Sequence, residues 1–538
     1  MRARILLVVV LIVVAAACKL FLPSSPTIPV SSALVYPAFT NTAEYSPTAV
    51  SSATQTPLLS PTPQPAWEWQ RSTPEEQGLS SAVLAGMLET MAQEKWNIHS
   101  ILVVRHGVLV LEVYNHPFNS ETRHSVYSVT KSITSSLVGI ALNDGLLDDV
   151  NTPVISFFPS VTLDDPRKGS ILVEHLLSMS SGIEWMEPLY SGLNDHWGIL
   201  EADDPAAYFF NHALLYEPGT VFNYNSGGSH MLSMIIQKAT DIPAAEFAAE
   251  KLFAPLDITD YSWEKDFTGH SKGGTGLELK PQDMAKIGQL YLNGGRWLGR
   301  EIIPAEWISQ STATHSIPYD GMGYGYQWWI RPQGDYFALG WGGQQIRVFP
   351  EQDMVAVFTA GMSGNSILHN DLVDNYILPA VISDSPLPAD SQAQARLQLA
   401  IDALGVPQEW LSKPLPPLAK EIDGKQWLVT GQGNWSMFAL HFEGNDEAQF
   451  ELTIENDPML LMIGLDGIYR VTDTEELGPV ALAGYWDNTD TFVIIQQNLR
   501  EADRRTTRMH FNGNNVKLFS EWIVEPYHEE SEAVLFGE

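Results

Sequence analysis

Ser128 and Lys131 stand three residues apart in SVYSVTKSITSSLVGIALNDG, residues 125–145. On a helix such a pair shares a face, with Cβ atoms about 5 to 6 Å apart, so the lysine amine can reach the serine hydroxyl. A serine hydroxyl is a weak nucleophile until a neighbouring base takes its proton. A lysine serves where an apolar pocket or an adjacent positive charge keeps it partly neutral. The chemistry open to the pair is attack on an ester or amide carbonyl to form an acyl-enzyme. The spacing alone equally suits a first-turn serine beside a surface lysine. Ordinary residue usage gives roughly one or two Ser-x-x-Lys strings in a chain of 538 residues, and this chain has two.

The second string, Ser262 to Lys265 in DYSWEKDFTG, is followed by glycine and charged residues and reads as a loop. After Ser128, in contrast, Ile133, Leu137, Ile140 and Ala141 recur at helical spacing, so Ser128 opens a buried helix. Tyr224, in YEPGTVFNYNSGGSHMLSMII, stands just before another helical pattern. Trp341-Gly342-Gly343, in YFALGWGGQQIRVFPEQDMVAV, falls between two strand patterns. His175 and His230 lie in helical patterns and read as structural.

The elements that must position these residues are legible in outline. NIHSILVVRHGVLVLEVY (97–114) predicts a hairpin turning at His106-Gly107, after a helix near Ser81 to Gln93. Helical patterns then dominate from about Ser128 to Trp307, including PQDMAKIGQLYLNGG, opened by Pro281 and closed by Gly294. Strand patterns return at GYQWWI, DYFALGW, QQIRVFP and MVAVFTA. The economical arrangement is one sheet fed by both ends of the segment, with helices inserted between. Residues 386–419 read as a linker with a short helical pattern. Alternating segments such as MFALHFEG, QFELTIEN and TFVIIQQNL, with turns at EGND and NGNN, make residues 420–538 a small antiparallel sandwich or barrel. The predicted class is α+β.

In order along the chain, Ser128-Val-Thr-Lys131, HLLSMSSGI, EPGTVFNYNS, GLELKPQDMAKIGQLYLNGG and GWGGQQ resemble the serine β-lactamase and penicillin-binding-protein-like hydrolases, most of all the class C β-lactamase and family VIII carboxylesterase branch. The resemblance covers about residues 70 to 385 and implies a domain at 67–385 with that family's antiparallel sheet, flanking helices and inserted helical region. It implies that Ser128 is acylated, that Lys131 is its base, and that Tyr224, matching the tyrosine of Tyr-x-Asn, shuttles protons. A phenol titrates near 10, so Tyr224 acts as a base only if a cation such as Lys131 favours the phenolate. Ser226 replaces the motif's Asn and keeps one hydrogen bond for substrate.

Trp341-Gly342-Gly343 stands where β-lactamases and D,D-peptidases carry Lys-Thr-Gly. Trp341 brings no charge and Gly342 no hydroxyl for a substrate carboxylate, and the same triplet is familiar from family VIII esterases. The backbone amides of Ser128 and Gln344 are the implied oxyanion hole. Arg347 is the nearest cation along the strand that could replace the missing lysine.

The formal net charge of -34, from 64 acidic and 30 basic residues, disfavours nucleic acid and anionic membrane surfaces as general partners. Arg2 and Arg4 precede an apolar run of about 13 residues, the layout of a secretory signal over residues 1–22. Cys18, the only cysteine, ends a run of alanines and resembles the lipid-attachment residue of a bacterial lipoprotein. Residues 23–66 are rich in Ser, Thr and Pro and form an extended tether. There is no Gly-x-Ser-x-Gly elbow, His-Glu-x-x-His motif or phosphate-binding Gly-rich lysine loop, and no metal or organic cofactor is expected. The expectation is an exported or membrane-tethered serine hydrolase acting on a small ester, amide or peptide. A D,D-peptidase or β-lactamase, or a catalytically idle cell-wall or β-lactam sensor, are the alternatives.

Overall fold

The hairpin read at 97–114 forms from strands β1 (Ile98–Arg105) and β2 (Val108–Tyr114), joined through His106 and Gly107, both at positive φ. The structure is a computed structural model that describes residues 67–187, 194–319, 321–362, 367–407, 414–431, 435–454, 457–475, 477–524 and 528–536. The N-terminal segment 1–22 with Cys18, and the tether 23–66, lie outside the described residues. Pro65–Glu538 is one compact unit. No helix among the described residues is long and apolar enough to cross a membrane.

Six further strands complete the first sheet: β3 (Ser316–Tyr319), β4 (Met322–Tyr324), β5 (Trp329–Ile330), β6 (Tyr336–Gly340), β7 (Gln344–Phe349) and β8 (Met354–Ala360). Their order is β2-β1-β8-β7-β6-β5-β4-β3, so the two ends of the hydrolase segment meet where β1 pairs antiparallel with β8, with Val103 opposite Ala356. Alternation along these strands divides two cores. Leu102, Val104, Val355 and Val357 face one side, with Ile133, Leu137, Ile287 and Leu290 from the inserted helices. Ile101, Val103, Ala356 and Phe358 face the other, against Leu84 and Leu88 of α1 (Ser81–Gln93). Fully burying each such aliphatic side chain contributes about 1.5 to 3 kcal/mol, which makes the central strands the rigid floor of the fold.

The helix opened by Ser128, α2 (Val129–Asn143), is buried on every side over Val129–Ala141. Gly139 lets it approach the Trp307 ring, where a Cβ would lie 2.3 Å from a ring carbon. The tyrosine of the second motif precedes α3 (Ser226–Thr240), and the predicted Pro281 helix is α4 (Pro281–Leu292). Residues 386–419, read from the sequence as a linker, hold α5 (Ser391–Gly405), whose Leu397 and Leu404 are buried in the same core as α1. Their apolar spacing places this helix in the hydrolase body.

The C-terminal region is an antiparallel barrel of ten strands: β9 (Gln426–Gly431), β10 (Trp435–Glu443), β11 (Glu447–Ile454), β12 (Asp457–Gly464), β13 (Arg470–Thr474), β14 (Gly478–Trp486), β15 (Thr491–Asn498), β16 (Arg504–Asn512), β17 (Asn515–Trp522) and β18 (His528–Leu535). Its order is β12-β11-β10-β9-β18-β17-β16-β15-β14-β13, and a bridge between Gly464 and Ala483 closes the ring. Every second residue, as in Phe438 and Leu440, Phe492 and Ile494, Met509 and Phe511, enters its core.

Candidate active site

Ser128 caps α2 with its side chain partly accessible, preceded by Tyr127 at a φ of 45°. A left-handed tyrosine costs on the order of 1 to 3 kcal/mol and persists only when its surroundings hold it. Val129, Thr130 and Lys131 donate their amides to the Val126, Tyr127 and Ser128 carbonyls at 3.0 Å, so the chain enters the helix through a tight turn. The Ser128 amide finds no acceptor among the described residues.

One turn on, Lys131 is 2% exposed, and its Nζ lies 2.8 Å from Ser128 Oγ and 2.9 Å from the Gly274 carbonyl. Burial lowers this amine from 10.5 to about 8, against the opposing pull of the Glu187 carboxylate. At neutral pH about a tenth of such a group is the free base, where an ordinary lysine is almost wholly charged.

Tyr224 closes the third side, its ring centroid 5.0 Å from Lys131 Nζ and its ring stacked at 6.2 Å on Trp329. Burial raises the phenol well above its ordinary value, the Glu187 carboxylate adds to that, and a hydrogen bond with Ser128 opposes it. The phenolate that the sequence allowed beside a cation is therefore disfavoured: desolvation and the Glu187 carboxylate outweigh the hydrogen bond with Ser128, and Tyr224 stands as a neutral hydroxyl.

Ser226 is turned to a residue that sequence reasoning missed. Its amide and hydroxyl both donate to Glu187, the hydroxyl at 2.8 Å, and Trp185 Nε1 donates to the same carboxylate at 2.6 Å. Gly227 lets the Trp185 ring close on α3, since a Cβ there would sit 2.3 Å from it. An acidic residue two positions after a tryptophan, just past HLLSMSSGI, was the available signal. The Gly274 carbonyl likewise belongs to the KGGT run that precedes GLELKPQ. Asn225 is the N-cap of α3, with its side chain accepting from the Gly228 amide at 2.8 Å.

Trp341-Gly342-Gly343 forms the bend between β6 and β7. Trp341 meets the Tyr127 ring edge-on at 5.2 Å, and Gly340, the last residue of β6, lies against Val126, where a Cβ would be 2.2 Å from the carbonyl oxygen. Gly342 and Gly343 have φ of 75° and 99°, a region open to glycine. The close approach at Gly342 is made by Ala502 of the barrel, whose Cβ is 2.5 Å from where a Gly342 Cβ would be. Gln344 is buried, with Nε2 donating to the Ala360 carbonyl at 2.7 Å and to the Trp341 carbonyl at 3.0 Å. Arg347 is buried and committed elsewhere: Nε donates to Asp335 at 2.7 Å and Nη1 to Asn370 at 2.7 Å.

His230 Nε2 lies 2.9 Å from Asp266, and His175 Nδ1 accepts the Leu172 amide, so both histidines hold structure. No group of three or more His, Cys, Asp or Glu side chains that could hold a metal gathers among the described residues.

A sheet fed by both ends of the segment, an inserted helical region and a serine-lysine-tyrosine cluster at the head of its buried helix define a class of hydrolase, and comparison with known proteins agrees. The Beta-lactamase family profile matches residues 88–366, more than half of the chain, and the chain belongs to that family. It is a serine hydrolase of the β-lactamase fold. The 6-aminohexanoate-dimer hydrolase of Paenarthrobacter ureafaciens is 26% identical over 313 residues, covering 53% of this chain and 79% of that protein. A solved structure provisionally named 6-aminohexanoate-dimer hydrolase, from Bacillus anthracis, superposes with a TM-score of 0.51 at 22% identity over 60% of this chain and 89% of its own. A family VIII carboxylesterase structure aligns at 17% identity with a TM-score of 0.44 over 63% of this chain and 99% of its own.

Proposed function

We propose that the protein hydrolyses small neutral esters or amides through an acyl-enzyme on Ser128, with Lys131 as base and Tyr224 as proton relay. The observation that carries this reading is the buried Lys131 amine, 2.8 Å from Ser128 Oγ and lowered to about 8. Lys131 takes the hydroxyl proton as Oγ attacks the carbonyl carbon; as the bond from the carbonyl to the departing alcohol or amine breaks, the Tyr224 hydroxyl passes it a proton and receives the Lys131 proton in return, so both groups end neutral. Water then attacks the Ser128 ester and gives a proton to the base pair, which returns it to Ser128 Oγ as the bond to the acyl group breaks and the acid product leaves. The oxyanion is held by the Ser128 amide and the Gln344 amide at the start of β7, just after the bend.

Neutral substrates follow from what surrounds the bend. Trp341 and Tyr127 present aromatic surface, and Arg347 is held by Asp335 and Asn370. A missing charge-assisted hydrogen bond costs a carboxylated substrate roughly 1.5 to 3 kcal/mol, or about 10- to 100-fold. A relative named for hydrolysing a 6-aminohexanoate dimer supports amide as well as ester cleavage, though not neutrality, since that dimer carries a carboxylate and an amine. Kinetics on p-nitrophenyl butyrate and a chromogenic cephalosporin, with Ser128→Ala as background, test this. Higher kcat/KM on the ester is expected. A preference for the cephalosporin overturns the substrate class, and labelling by a fluorophosphonate with no turnover of any substrate identifies a sensor. The reading extends to an exported, tethered protein, supported by the apolar run and Cys18; Cys18→Ala should move the protein from the membrane to the soluble fraction.

A further inference from the structure

The loop between β15 and β16, residues 499–503, leaves the barrel and enters the hydrolase body beside the nucleophile. The Ser125 amide donates to the Arg500 carbonyl at 2.6 Å. Tyr127 Oη donates to Glu501 and accepts the Ala502 amide at 3.3 Å. Ala502 is fully buried between the bend at Gly342 and the end of the first sheet at Gly361, where added Cβ atoms would come within 2.5 Å of its Cβ and 1.8 Å of its carbonyl oxygen. The loop is stiff from its own side as well: Gln497 Nε2 donates to the carbonyls of Asn498, Glu501 and Asp503 at 3.0, 3.3 and 3.0 Å. Leu499 is buried against Phe118 and Ala481.

The residue so gripped has a strained backbone. Tyr127 is left-handed, it directly precedes Ser128, and its carbonyl accepts the Thr130 amide in the turn that starts α2. A loop clamped at both ends, bonded to the phenol of that residue, holds a conformation that a tyrosine does not favour alone.

We propose that Glu501 is a positioning residue for acylation: through Tyr127 it fixes the turn that aims the Ser128 hydroxyl and amide, which makes the C-terminal barrel a working part of the active site. The proposal rests on Ser128 being the nucleophile. A displacement of about 1 Å at a reacting group can cost on the order of 100-fold in rate, so loosening this turn should appear in the rate of acylation before it appears in substrate affinity.

The test uses the full chain and measures the fluorophosphonate labelling rate, kcat and KM on p-nitrophenyl butyrate, and Tm, for wild type, Glu501→Ala, Glu501→Gln, Tyr127→Phe and the double variant Glu501→Ala/Tyr127→Phe. Asp490→Asn, in the exposed turn at the other end of β15, is the control and should label at the wild-type rate. Glu501→Ala and Tyr127→Phe should each slow labelling and kcat by about 10-fold or more with KM changed less than about threefold, and the double variant should be no slower than either alone, because both remove one linkage. Glu501→Gln keeps a carbonyl acceptor for the phenol and should recover most of the rate. Wild-type labelling in Glu501→Ala and Tyr127→Phe overturns the proposal, as do losses that multiply in the double variant or a glutamine no better than alanine. Should Glu501→Ala not fold, labelling slowed about 10-fold or more in Tyr127→Phe with Glu501→Gln near wild type upholds the proposal, and a wild-type rate in Tyr127→Phe, or a Glu501→Gln as slow as Tyr127→Phe, overturns it. Unimpaired labelling of Ser128→Ala in the same series removes the nucleophile assignment itself, a separate failure from loss of the Glu501 effect.

Discussion

The two Ser-x-x-Lys strings share a spacing and differ in everything that creates reactivity. Ser128 heads a buried helix, where residues three apart fall on one face, and Lys131 lies beneath it at 2.8 Å, cut off from water. Ser262 opens the short strand Ser262–Trp263, not the loop read from the sequence, and is paired opposite Glu278. The strand ends at Trp263, and Lys265 lies beyond it in a separate bridge to Ser271, so no helical turn brings the lysine back beneath the serine. Lys265 is exposed, and the Ser262 hydroxyl hydrogen-bonds Glu278. The lesson is that spacing nominates a pair, while the element it falls on and the depth of burial decide whether the lysine can be a base.

That contrast predicts a ranked series. Ser128→Ala should abolish turnover and covalent labelling, with Tm close to wild type because a small, partly accessible hydroxyl adds little packing. Residual labelling at the wild-type rate would place the nucleophile elsewhere. Next, Lys131→Ala and Tyr224→Phe should each slow single-turnover acylation by about 100-fold or more, the usual scale for lost general acid–base help, with a smaller effect on binding. Near-normal acylation in either would remove that residue's role.

A smaller and more specific effect concerns pH. With Lys131 lowered to about 8, acylation should climb through pH 8 as the free base forms, while the raised Tyr224 phenol stays protonated across that limb. Glu187 pulls the lysine upward, so Glu187→Gln should shift the limb to lower pH, and a rate profile from pH 6 to 10 measures it. An upward shift would contradict the assigned electrostatics. The same depression makes the native chain release this proton before the unfolded chain does, so between about 8 and 10.5 stability should rise with pH through this group. Smallest of all, Ser262→Ala should leave labelling, kcat and KM unchanged.

What the sequence determined by itself is what short-range periodicity can encode. Ile133, Leu137, Ile140 and Ala141 dictate a helix, and that helix brings Ser128 and Lys131 together without reference to the rest of the chain. Continuous apolar runs and turn residues likewise determined the hairpin at 97–114 and the strand at Met354–Ala360, where Ile98–Arg105 and Met354–Ala360 are buried throughout, and alternation determined the barrel strands, because half-buried strands carry a period of two. The apolar spacing of residues 391–405 was present too, but a helix between two proline-rich stretches reads as a connector until the surface it covers is known.

Only the tertiary structure decided the rest. Gly274 is 143 residues from the lysine whose amine its carbonyl receives, and Glu501 is 374 residues from the tyrosine it holds. No local pattern marks either, since a carbonyl or a loop carboxylate acquires its role from what packs against it. The state of Tyr224 turned on the same physics. Its neighbours in sequence left the phenolate open, and burial beside Glu187 closed it, because ionisation depends on the dielectric and the charges that the fold assembles around a group rather than on the residues that flank it.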